Sequence, residues 1–214
     1  MRNKFLRVVS LLLVLTLLLP AASCKKKQKD RKYDEATVLA AARALLPEAE
    51  KLNQIYYGKG FSTVGQAENG YTPASATSLA AYGVSSFADL KEKTEAVYSD
   101  AVVKQIASTK LSSVIDEDNT LVAYARYFER DDGVLMVRND ARVDYTDTLS
   151  LDLGAAYCDR AKGDVVYVYV PYVVTNASGD TQSGKLHLGF VEETDGWRLN
   201  TVSYTNYHNL DYKF

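Results

Sequence analysis

Few residues in this chain of 214 are of the types that carry out catalysis. There are two cysteines, Cys24 and Cys158, and two histidines, His187 and His208. A nucleophilic cysteine needs a neighbouring base to lower its pKa. Nothing in the spacing ties either histidine to Cys158, so Cys158 is expected to be a small buried apolar residue. His187 lies between Leu186 and Leu188 in an alternating stretch. That turns it to the face opposite both leucines and predicts a polar strand position rather than a general base. Two cysteines exclude a disulfide-stapled miniature fold and a multi-cysteine zinc site. Acids gather at Asp116-Glu117-Asp118, Asp131-Asp132, Asp144 with Asp147, and Glu192-Glu193. None has the calcium-loop spacing of alternating acids followed by glycine. Most fall where turns are predicted, and Asp is common there for local hydrogen bonding. No catalytic residue, metal or cofactor is expected.

One stretch comes close to a phosphate-binding loop: Gly179-Asp180-Thr181-Gln182-Ser183-Gly184-Lys185-Leu186. It lacks the hydroxyl residue that reaches magnesium, since Leu186 stands there. An alternating strand follows, where a helix N-terminus must face the phosphate. The stretch therefore reads as a hairpin. Tyrosine is the compositional oddity, with 16 Tyr against 6 Phe. Tyr167, Tyr169 and Tyr172 share one predicted strand, the first two on one face, and Tyr204 follows in the last. Tyrosine joins an apolar body to a wet tip, which suits binding surfaces and half-exposed sheets. Tyr167, Tyr169, Tyr172 and Tyr204 are the candidate binding residues, for sugar rings or a protein.

The other cysteine has a distinct context. Residues 1–7 carry Arg2, Lys4 and Arg7 and no acid; residues 8–19 are apolar apart from Ser10 and Thr16. That run is shorter than the ~20 residues a transmembrane helix needs. Small residues and a cysteine follow, Ala21-Ala22-Ser23-Cys24. The segment resembles a bacterial lipoprotein signal, although Ala21 stands where Leu is usual. The resemblance implies cleavage after Ser23 and a diacylglyceryl group on the Cys24 sulfur, with an acyl (palmitate-type) chain on the new amino terminus. Two or more chains suffice for stable anchoring. Residues 1–23 are then a signal peptide, residues 24–34 a lipidated basic tether and residues 35–214 a single domain. The location implied is the outer face of the bacterial cytoplasmic membrane.

Charge divides along the same boundary. The net charge is −2 overall, but six bases against two acids fall within residues 24–34, leaving residues 35–214 at −9. The tether would be drawn to anionic lipid. The acidic domain is a poor candidate for nucleic acid, which needs a basic face.

Periodicity supplies the elements. Val38, Ala42, Leu45, Ala49, Leu52 and Tyr56 mark one helical face over residues 35–57, with Asp34 as N-cap and Pro47 either dividing or kinking it. Gly58 is the expected C-cap. Residues 61–85, with Gly65, Gly70, Pro73 and Gly83, read as a long loop with one extended piece near residues 76–82. Ser86 caps a second helix with buried Phe87, Leu90, Thr94, Val97 and Tyr98. Ser99-Asp100 restarts it to about residue 108. From Leu121 the period becomes two: Val122, Tyr124, Arg126 and Phe128 face away from Ala123, Ala125 and Tyr127. Asp131-Asp132-Gly133 is a hairpin turn. Strands are predicted over residues 134–137, 142–159, 164–175, 185–193 and 197–204, with turns at 176–184 and 194–196.

Helices first and antiparallel strands after is an α+β order. The expected fold has N-terminal helices packed in a curved, mainly antiparallel, cone-like sheet. The order is similar to that of the superfamily of nuclear transport factor 2 and ketosteroid isomerase. A narrower likeness rests on Leu46-Pro47, Asn53-Gln54-Ile55-Tyr56-Tyr57-Gly58-Lys59-Gly60-Phe61, Phe87-Ala88-Asp89-Leu90-Lys91 and Val97-Tyr98-Ser99. Over residues 36–207 the chain resembles the DL-endopeptidase-inhibitor family of Gram-positive cell walls and its lipoprotein relatives. The resemblance implies a lipid-anchored binding protein without catalysis that inhibits or modulates a cell-wall hydrolase, and the −9 charge of the domain implies that this hydrolase is basic. It identifies no inhibitory contact residue. The alternative is a small-ligand binder or pocket enzyme of the cone-shaped fold.

Overall fold

The computed structural model describes residues 32–112, 114–115, 121–138, 140 and 147–201. The signal segment, Cys24, Tyr204, His208, Asp116-Glu117-Asp118 and Asp144 lie outside the described residues. The chain is a mixed helix and sheet fold with a curled antiparallel half-barrel.

Helix α1 spans Glu35–Tyr56, and the Asp34 carboxylate accepts from the Ala36 N–H at 3.2 Å as its cap. Its buried stripe is Val38, Ala42, Leu46, Ala49, Asn53 and Tyr56, with Leu52 and Ile55 beside it. Leu46, not Leu45, completes the row, because steps of four, four, three, four and three keep to one face of a 3.6-residue helix. Leu46 is fully buried; Leu46→Ala in such a site costs ~2–5 kcal/mol. Pro47 leaves the helix unbroken. It is exposed, as is Arg43, whose carbonyl loses its helical donor, so water can serve that carbonyl instead.

The helix ends against a buried arginine. Arg126 is 4% exposed, and its guanidinium donates to the carbonyls of Tyr56 (2.9 Å) and Gly58. Its Nε donates to the Tyr127 hydroxyl (3.1 Å), which donates in turn to the Ile55 carbonyl (2.6 Å). These are the carbonyls a helix C-terminus leaves orphaned, and a cation there also meets the negative end of the helix dipole. Gly60 takes the left-handed conformation (φ +68°); a Cβ there would strike the Tyr127 hydroxyl and the Arg126 guanidinium. The expected C-cap at Gly58 is thus displaced: Tyr57 caps the helix and Gly60 supplies the positive φ. Burial and the Arg126 charge hold the nearby Lys110 ammonium below the ordinary lysine range. Burial also pushes the Tyr57 hydroxyl up to about 12.

Residues 61–85 are more ordered than a loop. Strand β1 is Tyr71–Pro73 and helix α2 is Ala76–Ala81, where an extended piece was expected. The Ser75 hydroxyl accepts from the Ser78 N–H (3.1 Å), and the alanines that follow favour helix once it is started. Helix α3, Phe87–Val97, has Ser86 as cap, accepting from the Asp89 N–H at 3.0 Å. The Asp89 carboxylate reaches back to the Ser85 N–H (2.7 Å) and hydroxyl (3.0 Å). Those bonds, the Ser85 N–H foremost, hold its pKa below the usual aspartate value. Helix α4, Asp100–Lys110, follows Ser99, which makes no side-chain cap; the Asp100 N–H donates to Glu193 at 3.0 Å instead.

Strands β2 (Val114–Ile115) and β3 (Leu121–Ala123) form a small pair. Strands β4 (Tyr127–Glu129) and β5 (Leu135–Arg138) form a hairpin whose turn places Gly133 at φ +81°, and β1 pairs with β5. The expected alternation fails between them. Ala125, Arg126 and Tyr127 are all buried, because residues 124–126 are not in a strand and Arg126 turns in toward α1.

The large sheet contains β6 (Thr148–Leu151), β7 (Tyr157–Lys162), β8 (Val165–Thr175), β9 (Thr181–Glu193) and β10 (Gly196–Leu199). The order is β10-β9-β8-β6, and β7 pairs with β8 beyond the reach of β6. The expected strand over residues 142–159 is therefore two; the turn at Asp152, whose carboxylate accepts from the Ala155 N–H (3.0 Å), separates them. The turn after β8 closes by residue 180, with Asn176 accepting from the Ser178 and Asp180 N–H groups, so β9 begins four residues earlier than expected. Strand β8 alternates along its length: Val166, Val168, Val170, Tyr172 and Val174 are buried and face Leu186, Leu188 and Phe190 of β9 in one core. Helix α1 packs on this side against β7 and β10.

Candidate functional site

The register of the large sheet sorts the residues of its other face into cross-strand rows. Ser150 of β6, Val173 of β8 and Ser183 of β9 lie opposite one another. The next row holds Asp152, Pro171 and Lys185; the Asp152 N–H donates to the Pro171 carbonyl at 2.8 Å. Tyr157, Tyr169 and His187 form the third row, and Arg160, Tyr167 and Gly189 the fourth. Lys162, Val165 and Val191 form the fifth. At ~3.4 Å per residue, five rows spaced two residues apart run about 27 Å along the strands.

The middle rows form an aromatic ladder. Tyr157 and Tyr169 stand with ring centroids 5.5 Å apart; Tyr169 stacks on His187 at 4.4 Å with an angle of 18°; Tyr167 flanks His187 at 4.8 Å. Neighbouring rings turn their faces to one another, so solvent meets mostly ring edges, hydroxyls and ring nitrogens. Tyr167 also lies across the side-chain-free Gly189. Such cross-strand pairs are each worth ~0.2–1 kcal/mol to the sheet.

His187 has one polar partner that the sequence does not reveal. Strand β7 carries a bulge between Cys158, opposite Val168, and Arg160, opposite Tyr167. Asp159 is the extra residue, and the bulge re-aims its carboxylate so that Oδ2 lies 3.1 Å from His187 Nε2. No alternating pattern marks a bulge in advance, which is why Asp159 escapes a reading by periodicity. The pair stands over the tyrosines without a nucleophile: among the described residues no serine, threonine or cysteine is hydrogen-bonded to His187. Cys158 is on the core face opposite Val168. It is half-buried rather than buried, since β7 is an edge strand; burial first, and the Glu35 charge second, push its thiol up, which disfavours the reactive thiolate.

The four candidate tyrosines separate. Tyr167 and Tyr169 are brought together in the ladder. Tyr172 is not with them: it is 8% exposed on the core face, its ring packed over Gly184, and it is among the residues that line an open groove beside Lys185. The even positions of β8 all point inward, and Tyr172 is one of them. Tyr204 lies outside the described residues. Tyr157, 42% exposed and at the end of the ladder, is the tyrosine that spacing overlooked.

Charge on this face differs from that of the domain. Arg160, Lys162 and Lys185 stand among its rows with Asp152 and Asp159, and Asp159 is engaged by His187. The tyrosine-bearing surface is therefore not the acidic surface. The Lys185 ammonium donates to the Tyr157 hydroxyl at 3.3 Å and lies 5.3 Å above its ring. Beside it, the first two rows, together with Leu151, Tyr172 and Gly184 that lie between them, line an open groove of about 640 Å³. A second cavity of about 280 Å³ lies between α1 and α3, floored by Leu52, Ile55 and Val97 with Lys51, Glu48 and Lys93 at its mouth. Among the described residues no three histidines, cysteines or acids come together as a metal-ligand set. In comparisons with family models, with curated proteins and with solved structures, the chain matches none.

Proposed function

We propose that the chain is a lipid-anchored, extracytoplasmic binding protein without a catalytic role, which works through the outer face of its large sheet. The observation that carries this reading is the aromatic ladder with its flanking groove: a wide surface of tyrosine edges, a bulge-aimed His–Asp pair and lysine. Tyrosine and arginine are enriched where proteins bind. The anchor at Cys24, the basic tether and the position on the outer face of the cytoplasmic membrane belong to the same proposal. So does the finer description of the fold as helices held in a cone-like sheet, which the packing of α1 on β7 and β10 supports. The function this binding serves is modulation of a cell-wall hydrolase, as the family likeness implies. The acidic remainder of the domain is the part that would attract a basic hydrolase.

Two measurements test the reading. Cys24→Ala should move the protein from the detergent phase to the aqueous phase on partitioning; full retention would remove the anchor. The full-length protein and its Tyr169→Ala/His187→Ala variant should then be compared for capture of envelope proteins and sacculi. Equal capture by a folded variant would show that the outer face is not the binding surface. The cavity between α1 and α3 favours a second reading, a small-ligand binder, since apolar clefts with a few polar groups at the mouth are the usual form of such sites. A small molecule co-purifying there would shift the assignment.

A further inference from the structure

We propose that strand β6 is a self-association edge, through which two copies of the chain join their large sheets about a two-fold axis at Ser150. The edge strands of that sheet are β10, β7 and β6, and they are not alike. The outer side of β10 is taken by the junction of α3 and α4: the Ser99 N–H donates to the Leu199 carbonyl at 3.0 Å, and Arg198 Nε donates to the Glu95 carbonyl at 3.0 Å. Strand β7 is blunted by its bulge and by Asp159, Arg160 and Lys162. Covering, bulges and charges are the usual devices that keep an edge from pairing with another chain. Strand β6 has none of them. It carries no charge, no proline and no break in its register with β8, and among the described strands only β8 pairs with it. Its one protection is its length of four residues.

The pairing fixes which backbone groups face outward. The Asp152 N–H donates to the Pro171 carbonyl of β8, so by the alternation of an antiparallel ladder Ser150 and Thr148 also turn their backbone groups to β8. Leu149 and Leu151 turn theirs the other way. Their side chains are half-buried against the core, while those of Thr148 and Ser150 are exposed on the outer face. One register uses all the outward groups without remainder. With Ser150 opposite Ser150 of an antiparallel second copy, Leu149 stands opposite Leu151 of that copy, and Leu151 opposite its Leu149. Each leucine pair then exchanges both N–H···O bonds. The half-buried leucines meet on the core side, and on the outer side the Thr148 hydroxyl stands opposite the Asp152 carboxylate, to which it can donate. No like charges oppose. Sliding the register by two residues would set a leucine of each copy against Asp147 or Leu153, outside the strand. The edge is thus complementary to itself, as an isologous two-fold contact requires, and this selects a second copy as its occupant. A contact so short falls well below the ~1,600 Å² of a standard interface, so the dimer is weak. Ser150, Leu151 and Asp152 of the groove lie at the seam, so the outer faces of the two copies become one surface. The inference does not depend on what that surface binds.

The test is charge pairing at the axis, in the full-length protein with detergent micelles in excess so that chains do not share one by chance. Sedimentation equilibrium from about 1 μM to about 1 mM should show a reversible dimer. Ser150→Lys and Ser150→Glu should each weaken it by at least about tenfold, because like charges then oppose one another at ~4.5 Å between Cα atoms. Mixed in equal amounts the two variants should dimerise again, since unlike charges then face across the axis. Ser183→Lys, on the same face but on β9, should leave the dimer unchanged. Ser150 is exposed, so these variants should keep the wild-type unfolding midpoint. Ser150→Cys gives a second readout: mild oxidation should join the copies by a disulfide, for which the spacing is in range. Ser183→Cys, ~24 Å from its counterpart across five strand spacings, should not be joined. A wild type that stays monomeric would overturn the proposal. So would a dimer indifferent to Ser150→Lys, a Lys–Glu mixture that stays monomeric, or a Ser150→Cys disulfide no faster than the wild-type background. If the wild type is monomeric and Ser150→Lys loses capture of envelope proteins, the edge takes a strand of another protein and the second copy falls.

Discussion

Arg126 and His187 are the two points where a polar ring or fork gathers partners distant in sequence, and their surroundings are opposite. The Arg126 guanidinium is buried, and its partners are the carbonyls of Tyr56 and Gly58 and the Tyr127 hydroxyl. Among the described residues no carboxylate pairs with it. The charge is balanced by backbone dipoles at the end of α1, and every donor used there is committed to the fold. His187 is half-exposed, stacked rather than enclosed, and its partner is a carboxylate placed by a bulge. Removing a buried polar partner leaves others unsatisfied, which costs far more than removing an exposed one. The first centre is thus a fixed part of the architecture. The second can be altered without loss of the fold, which is the condition for a surface that meets other molecules.

The largest effect expected from this contrast is at Arg126. Arg126→Met should lower the unfolding free energy by about 3 kcal/mol or more, since it strands the Tyr56 and Gly58 carbonyls in a buried site. Arg126→Lys should recover little, because one ammonium cannot span the fork's acceptors. Urea unfolding of the variants checks both, and a loss below about 1 kcal/mol would mean that water takes over the arginine's role.

A smaller effect is expected at the start of α3. Ser86→Ala should cost about 1 kcal/mol, the usual value for a lost N-cap. The neighbouring Asp89 gives this site a pH dependence. Its folded pKa is lowered, so the stability it contributes is present above its unfolded value near 3.9 and is lost as pH falls through the folded value. Wild type should exceed Asp89→Asn by a constant margin above pH 5, and the margin should close below pH 4. A margin that persists at pH 2 would break the assignment, as would one that closes near neutrality.

The same contrast explains what was legible in the sequence. Periodicity found α1, α3, α4, β8 and β9 because each buries one face of a regular repeat, and capping residues Asp34 and Ser86 marked their starts. Arg126 was placed in an alternating strand, because nothing in its neighbours shows that the chain leaves the sheet at residues 124–126. The Ile-Tyr-Tyr-Gly-Lys-Gly stretch is the helix exit this arginine holds, so its unusual pattern reports a structural device. The ladder was half visible: Tyr167 and Tyr169 followed from parity within one strand. Tyr172 stands apart from them because parity says which residues share a face but not that the even face of β8 is the core. Asp159 and Tyr157 needed the pairing of β7 with β8 and its bulge, which are long-range facts that local pattern does not contain.

The smallest stability effect, and the one that most sharpens the comparison, belongs to Asp159→Asn. The His187 and Asp159 side chains are 30% and 28% exposed and 3.1 Å apart. Partly exposed pairs of this kind contribute ~0.2–1 kcal/mol, and asparagine keeps an oxygen able to accept a hydrogen bond. The unfolding free energy should therefore change by less than about 0.5 kcal/mol, several times less than at Arg126. Capture of envelope material should nevertheless fall, because the substitution removes the carboxylate that orients the imidazole between Tyr167 and Tyr169. His187→Phe keeps the stacking surface and discards the ring nitrogens, so it separates the two parts of the site. If it retains capture, the ladder binds through its apolar area; if it loses capture as Asp159→Asn does, the oriented imidazole is the contact. Should Asp159→Asn cost as much stability as Arg126→Met, the two centres would be alike, and the outer face would be architecture rather than a binding surface.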